Sequence, residues 1–331
     1  MAKKNSPKKK NKTKAAIHAG ARLYATPDNP IPGNARVGMI TTPDGVQLRY
    51  ARWEAALRPT KGTVLLLHGR TEFIEKYFEA VQDLRGRGFS VLTFDWRGQG
   101  GSSRQLWDKS KGHVENFNQY LTDLETILSE IALPDSRPPY YICAHSTGAL
   151  VALLAAPALG NRVRRMVLCS PLLAINKLPM KQTLLQKMTG VLTVLGAGRM
   201  TIGKRNPNKR FIGNRLTSDT ARFERSRTVL DKAPDLRTGR PTISWVFSAC
   251  RAMATVNQPG YANAISIPTL LVAAGNDTVV DPGHIEAFGR QMRSGAFLTI
   301  SGAKHELWDE RDVFREQLLA AFDAFVPGTE V

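Results

Sequence analysis

The 331-residue chain has only three cysteines, Cys143, Cys169 and Cys250, and they lie far apart. That spacing suits neither a disulfide framework nor a thiolate metal cluster, so all three read as reduced packing residues. No apolar run reaches the roughly 18 residues needed to span a bilayer. The first fourteen residues hold seven lysines, no acid and no apolar stretch behind them, which is not the composition of a secretory signal. A cytoplasmic protein is therefore expected. No internal repeat is visible, and aromatics are not interleaved with the lysines. The tail can bind nucleic acid nonspecifically, but nothing marks a sequence-specific reader. Acids are also scarce in one internal stretch: residues 170–260 hold sixteen Lys or Arg against four Asp or Glu. The net charge of +18 thus resides in the tail and this stretch, and the remainder sums to −1.

What is present is an alternation of strand and helix patterns. Val37–Thr42 and Gln47–Trp53 flank Asp44-Gly45, a hairpin signal. Thr63–His68 is a continuous apolar run of the kind buried on both faces of a sheet. Phe73, Tyr77, Val81 and Leu84 then recur at helical spacing. Ser90–Asp95 is the next strand, followed by a glycine-rich loop over 97–101. A helix carrying Phe117, Tyr120, Leu121, Leu124 and Leu128 leads to the strand at Tyr140. Further strands are expected at Arg165–Ser170, Thr269–Ala274 and Ala296–Ser301, and a last helix presents Val313, Phe314, Leu318, Phe322 and Phe325. This order implies an α/β fold with a mostly parallel sheet flanked by helices. The alternation breaks between about 171 and 262. The expected organisation is a disordered tail over 1–20, a core formed by 21–170 and 263–331, and a helical cap over 171–262, inserted after the sixth core strand.

The most telling segment is Tyr140–Gly148, YYICAHSTG: an apolar strand runs into a serine flanked by small residues, and a helical pattern follows from Ala149 to Ala156, expected to stop at Pro157. This is the layout of a nucleophile elbow. The pentad alone leaves a structural serine and a nucleophile equally open, the more so because Ala144 stands where the first glycine is usual. A serine hydroxyl needs a histidine to take its proton and a carboxylate to orient that histidine. Asp277 follows the strand LLVAA, and His305 follows the strand ending at Ser301, so both extend from the same sheet edge as Ser146, in the order Ser, Asp, His. Asp281 is the rival acid. The backbone N–H groups of Arg70 and Thr147 are the expected oxyanion donors, with no part assigned to the Arg70 side chain. His68 and His145 read as structural, His113 as a packing or capping residue, and Glu306, Asp309 and Glu310 as charges at a helix N-terminus.

The segments LLLHGRTEFIEKY, FDWRGQGGSS, KGHVENFNQYLTDL, AHSTG, GNDTVVDP and GAKHELWDERD resemble the α/β-hydrolase superfamily. Within it they are most similar to the bacterial lysophospholipase and monoacylglycerol lipase group, often labelled serine aminopeptidase-like hydrolases. The resemblance runs from about residue 37 to 326. It implies that Ser146, Asp277 and His305 match the nucleophile, acid and base, and that Arg70 and Thr147 match the oxyanion donors. It further implies a serine carboxylic-ester hydrolase that needs neither metal nor organic cofactor. A lysophospholipid is the first expected substrate; monoacylglycerol or a general carboxylic ester is the alternative. An aminopeptidase would want acids in the cap to hold a substrate amine, and there are four. A non-catalytic binding protein is the remaining reading.

In the cap, Leu184, Leu185, Met188, Val191, Leu192 and Leu195 recur at helical intervals among basic residues. Two readings stand side by side. The stripe either packs onto the core, or faces an anionic membrane surface, with the Lys-rich tail adding to the attraction at the inner face of the membrane.

Overall fold

The computed structural model describes residues 21–203 and 211–326. The tail over 1–20, expected to be disordered, lies outside the described residues.

Eight strands form one sheet. They are β1 (Arg36–Thr41), β2 (Gln47–Trp53), β3 (Thr63–Leu67), β4 (Ser90–Phe94), β5 (Tyr140–His145), β6 (Arg165–Cys169), β7 (Thr269–Ala274) and β8 (Gly295–Ile300). Their spatial order is β1-β2-β4-β3-β5-β6-β7-β8. β1 and β2 form the antiparallel hairpin, turning through Gly45 at φ 83°, and β2 pairs antiparallel with β4; every later pairing is parallel. The helices are α1 (Phe78–Gly86), α2 (Asn118–Ile127), the single turn α3 (Leu133–Asp135) and α4 (Thr147–Leu159). Between β6 and β7 come α5 (Gln182–Val194), α6 (Thr220–Lys232), α7 (Ile243–Val256) and α8 (Tyr261–Ala264). After β7 come α9 (Pro282–Gln291) and α10 (Asp312–Phe325).

The continuous apolar strands are explained by burial on both faces. Side chains alternate along a strand, so Leu65 and Leu67 of β3 join one core while Val64 and Leu66 join the other. The first core lies under α2, α4, α7 and α9, and the second under α1 and α10. Cys143, Cys169 and Cys250 are free and buried.

Three sequence expectations need correction. α4 does not stop at Pro157 but runs through it to Leu159. Proline removes the amide that would bond the carbonyl four residues back, here that of Leu153. The Tyr261 hydroxyl, at 3.1 Å, donates to that carbonyl instead. The helical pattern from Phe73 opens as a 3-10 turn, Ile74–Tyr77, before α1. Val313, placed on the apolar face of the last helix, is exposed.

The segment between β6 and β7 attaches to the rest in three ways. α7 contributes Trp245, Ala249, Cys250, Met253 and Val256 to the first core. α6 seats Val229 against Phe73 in a small separate cluster. It is also held by Arg222 and Arg225, which donate to Glu79 of α1 at 2.6–2.9 Å. α5 packs across α7 where Gly190 meets Phe247: a Cβ at Gly190 would come within 2.8 Å of that ring. Its outward stripe is uncovered, with Val191 60%, Leu195 75% and Val194 88% exposed. Of the stripe, Leu185 alone packs against the core. Among the described residues no helix is long and apolar enough to cross a membrane.

Candidate active site

Ser146 is the residue between the end of β5 and the start of α4. Its backbone is left-handed, at φ 51° and ψ −111°, despite its side chain. That strain lifts the side chain off the end of the strand. Ala144, in place of the usual glycine, is fully buried in β5 opposite Leu168 and does not prevent the turn. Two glycines let the neighbouring backbones close in. A Cβ on Gly148 would meet the carbonyl oxygens of His68 and Leu67 at 2.6 and 2.7 Å, and one on Gly69 would meet Ser146 Cβ at 3.2 Å. The loop after β3 therefore lies directly against the serine.

Asp277 follows β7 and His305 follows β8, so all three side chains leave the carboxyl end of one parallel sheet. His305 Nε2 is 3.0 Å from Ser146 Oγ, and His305 Nδ1 is 2.6 Å from Asp277 Oδ2. All three residues are buried. The other oxygen of Asp277 accepts the amides of Val279 and Val280 at 2.7 and 3.1 Å, which fixes the carboxylate's orientation. Asp281 is not at His305; it caps α9, accepting from the amides of Gly283 and His284. Chemically, this arrangement lets the imidazole accept the serine proton while the carboxylate balances the charge that results. Thr147 is the first residue of α4, where an amide has no intrahelical acceptor. Arg70 follows Gly69 in the loop against Ser146. Among the described residues no group of His, Cys, Asp or Glu is arranged to hold a metal ion.

Beneath the site lies a charge network that the sequence did not reveal. Glu72 accepts from the amide of Gly69, from the Tyr77 hydroxyl at 2.8 Å and from Lys76 at 2.8 Å, and faces His145 Nδ1 at 3.1 Å. Burial opposes its charge, but Lys76 and His145 outweigh that and hold the carboxyl well below its usual range. His145 has its second nitrogen, Nε2, 3.2 Å from the carbonyl of His305. Burial opposes the charge of His145 too, yet Glu72 outweighs that and raises its pKa. One carboxylate thus ties the loop after β3, the elbow and, through His145, the backbone of His305 together. The (i, i+4) pair Glu72–Lys76 was the available signal.

Glu306 and Asp309 lie at the N-cap and in the first turn of a 3-10 helix, Leu307–Asp309, and Glu310 just before the N-cap of α10, as expected, but each also has partners that the sequence did not show. Glu306 and Asp309 approach Lys76 at 2.7 and 3.2 Å, and Glu310 accepts from the amides of Ser218, Lys304 and Arg311. They clamp the His305 loop to the 3-10 turn before α1 and to the segment before α6. His68 Nδ1 lies 2.7 Å from the Gly69 carbonyl. His113 is 2.8 Å from Thr242, the N-cap of α7, so it braces that helix.

Comparison with known proteins follows the same lines. The sequence profile of the family described as "Serine aminopeptidase, S33" matches residues 58–312. "Lysophospholipase L2" of Escherichia coli K12 is 30% identical over 302 residues, covering 86% of this chain and 86% of that protein. "Phospholipase YtpA" of Bacillus subtilis is 24% identical over 82% of this chain and 97% of its own length. Among solved structures, a soluble variant of monoglyceride lipase from Saccharomyces cerevisiae, in complex with a substrate analog, superposes with a TM-score of 0.72. It shares 20% sequence identity and covers 92% of this chain and 99% of its own, a likeness of α/β fold.

Proposed function

The chain belongs to the serine aminopeptidase S33 family, and on that premise we propose that it is a serine carboxylic-ester hydrolase whose substrate is a lysophospholipid. The observation that carries the reaction class is the continuous line Ser146 Oγ–His305 Nε2 and His305 Nδ1–Asp277 Oδ2, at 3.0 and 2.6 Å. In this reading Ser146 attacks the ester carbonyl while His305 takes its proton and returns it to the leaving alcohol. Asp277 orients the imidazole and stabilises its charged form. The amides of Thr147 and Arg70 stabilise the oxyanion, and water then cleaves the acyl-enzyme by the same steps in reverse.

Support for a lipid substrate comes from the relatives, whose names are those of a lysophospholipase, a phospholipase and a monoglyceride lipase. The segment between β6 and β7 adds to it. α5 turns an apolar stripe to solvent, with Lys177, Lys181, Lys187 and Arg199 exposed around it. Exposed apolar residues ringed by lysine suit the surface of an anionic bilayer, which contributes about 1 kcal/mol per basic residue held near it. The segment over 171–262 acts as a cap that samples that surface, at the inner face of the membrane, with the Lys-rich tail as a second attractor.

The test is fatty-acid release from a lysophospholipid and a monoacylglycerol, alongside cleavage of an amino-acyl anilide, with Ser146→Ala as control. Ser146-dependent lysophospholipid cleavage is expected. Anilide cleavage alone would overturn the lipid reading, and no Ser146-dependent turnover on any of the three would overturn the enzyme.

A further inference from the structure

The loops after β3 and β4 each carry a hydrogen-bond donor that the fold leaves unused. Arg70 donates from Nη2 to the carbonyl of Gly239 at 2.7 Å and lies over the Trp245 ring at 5.2 Å, yet its Nε is buried without an acceptor. Gln99, 2% exposed, accepts the Thr71 amide on Oε1 at 2.6 Å, which fixes the other end of the group as the NH2; that nitrogen, too, is buried without a partner. The two anchor points, residues 70 and 71, are consecutive and lie next to the glycine that touches Ser146.

The charge balance here is unlike that of the other enclosed arginines. Arg49 sits between Glu75 and Asp95, and Arg97 between Asp44 and Asp123. Among the described residues Arg70 has no carboxylate within ion-pair distance, and burial pushes its guanidinium down to about 10, still charged at neutral pH. Arg104, in the segment after β4 that also carries Gln99, is likewise without a carboxylate partner, but carbonyls of Gly98, Gly100 and Asp235 and the Thr238 hydroxyl occupy its donors. It adds positive potential without a free hand. A part-buried cation with an enclosed, unmet Nε, in a neighbourhood that also holds an unmet amide donor, calls for a group that offers acceptors and negative charge.

We propose that the Arg70 guanidinium and the Gln99 carboxamide form the receptor for the phosphodiester of the substrate headgroup, and so set the preference for lysophospholipid over uncharged monoacylglycerol. The inference rests on the ester-hydrolase reading above and adds to it the part of the molecule that recognises the leaving alcohol. Monoacylglycerol presents only hydroxyls there and leaves the guanidinium unmatched, and such unmatched buried groups are what make polar recognition selective.

The experiment measures kcat/KM for a lysophospholipid and for a monoacylglycerol of the same acyl chain, in the same mixed micelles, on wild type, Arg70→Met, Arg70→Lys and Gln99→Glu. The readout is the ratio of the two constants, which cancels any loss of folded enzyme and any shared disturbance of the oxyanion loop. The ratio is expected to fall about tenfold or more in Arg70→Met, and less in Arg70→Lys, which keeps the charge. Gln99→Glu keeps the acceptor for Thr71 but replaces the free donor with a negative charge, so it should lower the ratio as well. Equal losses on both substrates would overturn the receptor and leave the hydrolase standing. Wild-type cleavage of monoacylglycerol alone would overturn the lysophospholipid reading and the receptor together. Inorganic phosphate, added as a competitor of monoacylglycerol cleavage, separates the two sources of the anion. Inhibition at concentrations below the lysophospholipid KM, relieved in Arg70→Met, would assign the site to free phosphate and overturn the headgroup; no inhibition in that range supports it.

Discussion

Asp277 holds His305 with one carboxylate oxygen and is itself held through the other, which accepts the amides of Val279 and Val280. Asp277→Asn keeps the shape but offers His305 an amide that can donate to Nδ1, favouring the tautomer whose Nε2 carries the proton. That tautomer cannot accept from Ser146. Steady-state turnover on any ester substrate should fall about 10³- to 10⁴-fold with little change in melting temperature. A loss below about tenfold would mean that another group orients the base.

Glu79 joins α1 to α6 through Arg222 and Arg225, with Arg315 nearby. Burial opposes its charge, but these three cations prevail and bring its pKa from the usual 4.5 to about 2. The folded value lies below the unfolded one, so the ionised group stabilises the fold above pH 4.5, and that contribution is lost as the pH falls from 4.5 towards 2. Glu79→Gln should therefore cost about 1 kcal/mol near neutrality, after allowance for screening at a partly exposed site. The gap in melting temperature between variant and wild type should close on acidification through that window. A gap independent of pH would assign the loss to packing instead.

Tyr261 and Pro157 form a coupled pair through the carbonyl of Leu153. Tyr261→Phe leaves that carbonyl without a donor and should destabilise by about 1–2 kcal/mol in urea unfolding. Pro157→Ala restores an amide to the helix, so the double variant should recover much of the loss. Strict additivity of the two changes would show that the hydroxyl serves no such purpose.

The uncovered stripe of α5 gives a prediction about presentation of substrate. Val191→Asp with Leu195→Asp puts charge where the outward apolar residues stand. Cosedimentation with anionic vesicles should weaken, and cleavage of vesicle-borne substrate should fall about tenfold further than cleavage of a monomeric short-chain ester. Parallel losses on the two substrates would point to a damaged fold, not a lost surface.

Much of the frame was legible because it depends on short-range pattern. β3, β5 and β7 read as strands since burial on both faces leaves an apolar run without periodicity. Ser146, Asp277 and His305 could be brought together on paper because each follows such a strand, and parallel strands end at one edge. What escaped depended on partners distant in sequence. Pro157 reads as a stop signal until Tyr261, more than a hundred residues later, supplies the missing donor. Glu306, Asp309 and Glu310 could be placed at helix N-termini, but their pairing with Lys76 and Ser218 could not, because nothing local shows those partners. Asp277 and Asp281 are equivalent in composition, and only the turn between them decides which meets His305. For α5, periodicity gave a face but not what that face would meet. The Arg70 side chain was set aside because a charge without a partner is invisible in a sequence.

The backbone of Ser146, at φ 51° and ψ −111°, occupies a region that L-residues avoid and glycine tolerates. The fold consequently holds this one residue at a cost. Relaxing that one residue, as in Ser146→Gly, removes the hydroxyl and the strain together, so the inactive protein gains on the order of 1 kcal/mol in thermal unfolding. Selection for stability alone would discard this serine, and so costly a conformation is what the proposed chemistry would have to repay.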